Sequence, residues 1–177
     1  MSAHTAVRPS VWIGCLACYN SGVLNGHWFP AEKAGEVTPE YLYGLPTSHE
    51  ELWCFDLERF PARTGEIFPL TAAAWGELYV EVGDDRWDEL LTWYENCLPA
   101  LDVHGVPSAE QFNAGALGCC GSFREFVEAE VDHSGMFYGW PEEAVTYFDW
   151  DNYERDYRHD YTVVDAPNSC VLVFRSL

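Results

Sequence analysis

The sequence predicts an α+β fold assembled from small units, and three observations carry that expectation. Apolar, strand-like runs lie toward both ends of the chain, at residues 11–19, 52–57 and 171–174. The middle instead repeats its apolar residues at helical spacing. On a wheel of about 100° per residue, Trp87, Leu90, Leu91, Tyr94, Cys97 and Leu98 gather on one side of residues 81–98. Proline and glycine punctuate the chain at Pro61, Gly83, Pro99 and Gly105, which keeps each piece short. With 48% hydrophobic and 16% aromatic residues, including eight Trp, a chain of 177 residues can bury a core.

Taken in order, VWIGCLACY (residues 11–19) reads as a strand that is apolar on both faces. Asn20-Ser21-Gly22 is a turn, and the chain resumes as a strand from Leu24 toward Pro30. Thr38 is positioned to cap a short helix with Pro39 at its first turn. LWCFDL (52–57) is the next strand, closed by Phe60-Pro61. Thr71 can cap TAAAWGELYVEV, Gly83 interrupts, and Asp84 or Asp85 caps a helix that runs to Cys97 and stops at Pro99. Ser108 opens a helix through Gln111 and Ala116 that ends at Gly118, and Cys119–Ser122 forms a break. Ser122 and Glu125 form a capping-box pattern before FREFVEAEV, in which Phe123, Phe126 and Val127 share a face opposite Glu125, Glu128 and Asp132. Pro141-Glu142-Glu143 starts a short helix, Asp151–Asp160 is a charged segment, and Val171–Phe174 closes the chain as a strand.

Charge is the compositional anomaly: 29 acids face nine bases, for a formal net charge of −20. Lys33 is the single lysine. Residues 1–61 hold seven acids against three bases, residues 62–105 nine against two, and residues 106–177 thirteen against four. The excess therefore spans the chain and grows after the first third. Such a field repels nucleic acid and phosphorylated ligands and attracts basic surfaces at rates that salt suppresses. Repeated acids at i,i+3 and i,i+4 cost a helix a few tenths of a kcal/mol per pair, a cost compatible with a solvated face or with use of the charge. No apolar run reaches the roughly 18 residues that span a bilayer. MSAHTAVRPS lacks the pattern of an export signal. Seven cysteines without small-domain disulfide spacing fit a reducing cytoplasm.

Motifs of catalysis are missing from the chain. It has no GxSxG, GxxxxGK[ST] or GxGxxG, and His49-Glu50-Glu51 lacks the second histidine of HExxH. Asp149-Trp150-Asp151-Asn152 opens like a calcium loop but lacks its glycine and closing glutamate. Cys15-Leu-Ala-Cys18 has CxxC spacing, yet within a strand residues three apart point to opposite faces, so both read as packing cysteines. No catalytic residue, cofactor or metal is expected. A positive reading remains. B-DNA carries one phosphate charge per about 1.7 Å of axis over two strands, and an acidic face on a stiff, aromatic-rich core reproduces that pattern at lower density.

Three stretches sharpen this reading. Gly14-Cys15-Leu16-Ala17-x-Tyr19-Asn20-x-Gly22-x-Leu24-x-Gly26-x-Trp28 resembles the opening of the ArdA-type antirestriction proteins. Asp56-Leu-Glu58-Arg-Phe60-Pro61, following Trp53, is similar to that family's D-x-E-G-F-P, with Arg59 in place of glycine. Tyr147-Phe148-Asp149 through Asp160-Tyr161-Thr162 to Val173-Phe174-Arg175 resembles its close. Cys18 departs from the acid or small residue usual in the family, and residues 62–107 match it only in acidity and helicity.

The resemblance implies an elongated DNA mimic of three consecutive subdomains: an N-terminal α/β part (1–61), an acidic helical part (62–105) and a C-terminal α+β part (106–177) that dimerises. It implies a cytoplasmic protein, carried on mobile genetic elements, that occupies the DNA-binding groove of type I restriction-modification enzymes. It implies blocked restriction, with modification as a further target, and no nucleic-acid or membrane partner. Gly14, Tyr19, Asn20, Gly22, Gly26 and Trp28 are then fold residues. Helical spacing, rather than the matched motifs, nominates the contacts: Glu66, Glu77, Glu81, Asp84, Asp85, Asp88, Glu89, Glu95, Asp102, Glu125, Glu128 and Asp132. Two other readings compete. One is an acidic partner of a repressor or nucleoid protein, and the other a carboxylate- or metal-dependent hydrolase.

Overall fold

Alternating apolar residues build the first sheet. In the computed structural model, which describes residues 8–166 and 170–176, β1 (Ser10–Cys15) is the central strand. It runs antiparallel to β2 (Gly26–Pro30) on one side and β3 (Leu52–Glu58) on the other. Val11 and Ile13 are fully buried and pack with Ala34, Cys54 and Ala72. Most of the opening residues considered above for an export signal lie outside the described residues.

The strand expected over residues 11–19 ends earlier. β1 stops at Cys15 and the chain turns into a short helix, α1 (Leu16–Asn20). Cys15 Sγ accepts the Cys18 amide at 3.5 Å and so caps that helix. Cys15 and Cys18 consequently flank a strand-to-helix corner, and their sulfurs do not point to opposite faces of a strand as their spacing suggested. A 3-10 turn at Ala31–Glu36 follows β2, and Thr38 caps α2 (Pro39–Tyr43) as expected, its hydroxyl accepting the Tyr41 amide.

α3 (Pro69–Val82) begins two residues before the cap expected at Thr71, because Pro69 presets the backbone of its first turn. Gly83, at φ 89°, ends it, and α4 (Asp84–Cys97) follows at once. Aromatic packing joins the two helices. Trp75 meets Trp87 at 6.1 Å and Tyr94 at 5.1 Å, with ring planes close to perpendicular, and Tyr79 meets Trp87 at 5.3 Å. The Trp87 indole donates to the Arg59 carbonyl at 2.9 Å, which ties α4 to the end of β3. Trp87, Leu90 and Trp93 are buried. Leu98, assigned to the apolar face by periodicity, lies past the helix end at φ 47° and is exposed.

The second set of elements opens with α5 (Ala109–Gly115). The helix expected to continue to Gly118 gives way to β4 (Ala116–Cys120), whose place is set by pairing with β6 (Cys170–Arg175) rather than by local propensity. α6 (Phe123–Ser134) begins at the predicted cap, the Ser122 hydroxyl accepting the Glu125 amide at 3.1 Å. α7 (Glu142–Thr146) and α8 (Trp150–Tyr157) follow, then β5 (Tyr161–Ala166), a strand whose alternation is short and sits against a charged run. The three strands form an antiparallel sheet in the order β4-β6-β5. Phe123, Phe126, Val127, Val131 and Val173 form its core, flanked by a stack of Tyr153, Tyr157 and Tyr161.

The expectation of wholly reduced cysteines also changes. Cys119 and Cys170 are joined by a disulfide, their Cα atoms 6.0 Å apart where β4 meets β6. Two α+β units result. One runs through Glu95 and includes Ala100–Ala109; the other comprises Asn96–Pro99 and the chain from Glu110 onward. No helix among the described residues is long and apolar enough to cross a membrane.

Candidate partner-binding site: the acidic helical faces

Burial of one helix face leaves the acids on the other. α3 hides Ala72, Trp75, Leu78 and Tyr79 and so exposes Glu77 and Glu81, one turn apart. α4 hides Trp87, Leu90 and Trp93 and exposes Asp84, Asp85, Asp88 and Glu95, with Glu89 half-buried. Residues at i,i+4 on one helix stand about 5–6 Å apart at Cβ, which gives a row of carboxylates along each face. Glu66, before α3, and Asp102, after α4, are exposed as well. In the second unit, α6 hides Phe123, Phe126, Val127 and Val131, exposes Glu125 and Asp132, and leaves Glu128 half-buried.

These acids divide by what already holds them. Asp84 and Asp88 share the Arg59 guanidinium, at 2.5 and 3.1 Å, and the Tyr79 hydroxyl donates to Asp84 at 3.2 Å. The hydrogen bond from Arg59 holds the Asp84 carboxyl below the usual range, in spite of partial desolvation. Glu89 pairs with Arg86 at 2.9 Å. Glu95 accepts the Ala62 amide at 2.7 Å. Asp102 accepts the amides of His104 and Val106, and the Val106 bond in particular lowers its pKa. Five of the nominated acids thus also hold the fold. Among the described residues, Glu66, Glu77, Glu81, Asp85, Glu125, Glu128 and Asp132 form no ion pair, so these seven present unneutralised charge.

Arg59 explains itself structurally. It sits at φ 58°, the left-handed region that favours glycine, at the very position where glycine occurs in the related D-x-E-G-F-P segment. Its guanidinium lies 5.9 Å from the Tyr79 ring centroid. The strained backbone is held by the paired acids, the ring and the bond from Trp87. In the second unit Arg124 acts similarly: it bonds Glu154 at 2.8 Å and Asp151 at 2.5 Å, drawing α6 to α8. Sequence reasoning did not find this division of labour, because helical spacing shows which acids share a face but not which have a base brought to them from elsewhere.

Nor did it find the neighbours of the CxxC pair. Tyr43, at the end of α2, and His49, from the segment between α2 and β3, meet Cys15 and Cys18. Burial tends to raise the Cys15 pKa, but hydrogen bonds from Tyr43, His49 and the Cys18 amide outweigh it, and the thiol is lowered to about 6. The CxxC spacing was the available signal.

A family model described as antirestriction protein (ArdA) matches residues 11–171. No curated protein matches the chain.

Proposed function

This chain belongs to the ArdA family of antirestriction proteins, and we propose that it works by standing in for B-DNA in the DNA-binding groove of a type I restriction-modification enzyme. The carrying observation is the set of exposed acids without a neutralising base on α3, α4 and α6, on a chain with one lysine. A groove lined by Lys and Arg to receive phosphates would meet carboxylates at intervals of a helical turn, with counterions released on both sides. The family is one of antirestriction proteins rather than enzymes, so inhibition is by occupancy, without turnover. The action is cytoplasmic, where incoming DNA meets restriction enzymes. The chain works as a dimer joined through residues 106–177.

Displacement of a labelled DNA duplex from a purified type I enzyme tests the reading. One inhibitor protomer should displace DNA per binding site filled, and unlabelled duplex should compete with the inhibitor. Failure to displace DNA, with capture only of a nucleoid protein or repressor, would favour the acidic-partner reading instead.

Arg59 provides an internal check. Arg59→Gly removes the cation from between Asp84 and Asp88 and relieves a left-handed residue, worth about 1 kcal/mol. Thermal stability should change little, since relief of strain offsets the lost ion pairs. Inhibition at low salt should strengthen severalfold, measured as the concentration that halves cleavage. Unchanged inhibition would show that the start of α4 does not face the enzyme.

A further inference from the structure

The corner where β1 turns into α1 holds a cluster that the acidic surface does not use. Cys15, fully buried, ends β1; Cys18 lies in the first turn of α1; His49 lies just before β3. Their sulfur and nitrogen donor atoms all fall within 4.8 Å of one another. His49 Nδ1 is 2.9 Å from Cys15 Sγ and 3.7 Å from Cys18 Sγ. The Tyr43 hydroxyl, at the end of α2, closes a fourth side, 2.8 Å from Cys18 Sγ and 2.9 Å from His49 Nδ1.

We propose that Cys15, Cys18 and His49 bind one thiophilic divalent cation, zinc by their donor chemistry, with the Tyr43 hydroxyl beside the fourth position. Zinc takes sulfur at about 2.3 Å and imidazole nitrogen at about 2.0–2.1 Å, so tetrahedral ligands of these kinds stand about 3.6 Å apart. The Cys18–His49 distance already matches, and the Cys15–His49 distance opens to that value by a small rotation of the partly exposed His49 side chain. CxxC on a strand-to-helix corner brings both sulfurs to one side, and the Cys18 amide donated to Cys15 Sγ supports a thiolate there. Two thiolates and a neutral imidazole balance the charge of a divalent ion. The bound ion would staple the β1–α1 corner to the segment leading into β3, a structural role separate from the inhibitory surface.

Cobalt titration of the chelator-stripped full chain, its Cys119–Cys170 disulfide intact, tests this. One equivalent of Co²⁺ should give a thiolate-to-metal charge-transfer band and the visible bands of a tetrahedral ion, and one equivalent of Zn²⁺ should abolish them. Cys18→Ser and His49→Ala should each lose these bands, while Cys97→Ser and Cys120→Ser, changed at free cysteines elsewhere, keep them. Cys15 is left intact because it is buried; circular dichroism of each variant confirms the fold. Alkylation provides a second readout, since bound zinc should shield the partly exposed Cys18 and leave Cys97 and Cys120 as before. Three results would overturn the proposal. They are no tetrahedral spectrum at one equivalent, a spectrum unaffected by Cys18→Ser and His49→Ala, and a Cys15–Cys18 disulfide in freshly purified protein that holds no metal.

Discussion

Replacing Glu77 and Glu81 by Gln and Asp85 by Asn in one variant should weaken inhibition of a type I enzyme by about 100-fold at low salt, taking roughly 1 kcal/mol per charge facing a basic groove. These three acids are exposed on α3 and at the start of α4, and none forms an ion pair among the described residues. Their loss therefore removes charge without releasing a buried base. Circular dichroism and the melting temperature should hold, because each replacement keeps the shape of a solvated side chain and relieves like-charge repulsion between neighbours. Neutralising Asp84 and Asp88 instead is a different experiment. It unpairs Arg59 and presents a cation to the enzyme, so any loss of inhibition would combine two causes. Full inhibition by the Glu77, Glu81 and Asp85 variant would remove α3 and the start of α4 from the contact surface. The corresponding change of Glu125, Glu128 and Asp132 then reads the contribution of α6.

Gly76→Ala should be the most damaging conservative substitution in the first unit. α3 lies against the 3-10 turn Ala31–Glu36 so closely that an added Cβ would stand 2.1 Å from the Glu32 nitrogen and 2.5 Å from the Ala31 carbonyl carbon. Both are backbone atoms, and no side-chain rotation relieves the overlap. The helix must lift from the turn and loosen the packing of Ala72 and Trp75 beneath it. Such overpacking costs about 3 kcal/mol, against which alanine's better helix propensity returns at most about 1 kcal/mol. At about 4–8 °C per kcal/mol for a unit of this size, the net loss of about 2 kcal/mol lowers its melting temperature by roughly 10 °C. Calorimetry reads this directly. An unchanged transition would show that α3 does not approach the turn as closely as described.

The parts of the fold legible in the sequence were those fixed by short-range chemistry. Thr38 and Ser122 capped the expected helices because a hydroxyl three residues before an amide suffices to start one. Trp87 and Leu90, and on α6 Phe123, Phe126 and Val127, were buried as their spacing required. What escaped was set at long range. β4 exists because β6 lies beside it, and nothing within Ala116–Cys120 distinguishes a strand from the end of a helix. The strand read through residue 19 stops at Cys15, since the Cys15 sulfur takes the Cys18 amide and starts a helix there that period-two reading cannot see. The candidate site was legible as charge and as helical faces. The pairing of Asp84 and Asp88 with Arg59 was not, because it depends on β3 carrying a residue some 25 positions away to the start of α4. His49 was invisible as a neighbour of Cys15 for the same reason, 34 residues separating them.

Inhibition of a purified type I restriction enzyme at two salt concentrations, about 50 and about 200 mM, tests the charge-mimicry account most directly. The account predicts inhibition in proportion to enzyme and an inhibition constant that rises steeply between the two conditions, as DNA affinity does. Inhibition by sub-stoichiometric protein that is indifferent to salt would contradict it.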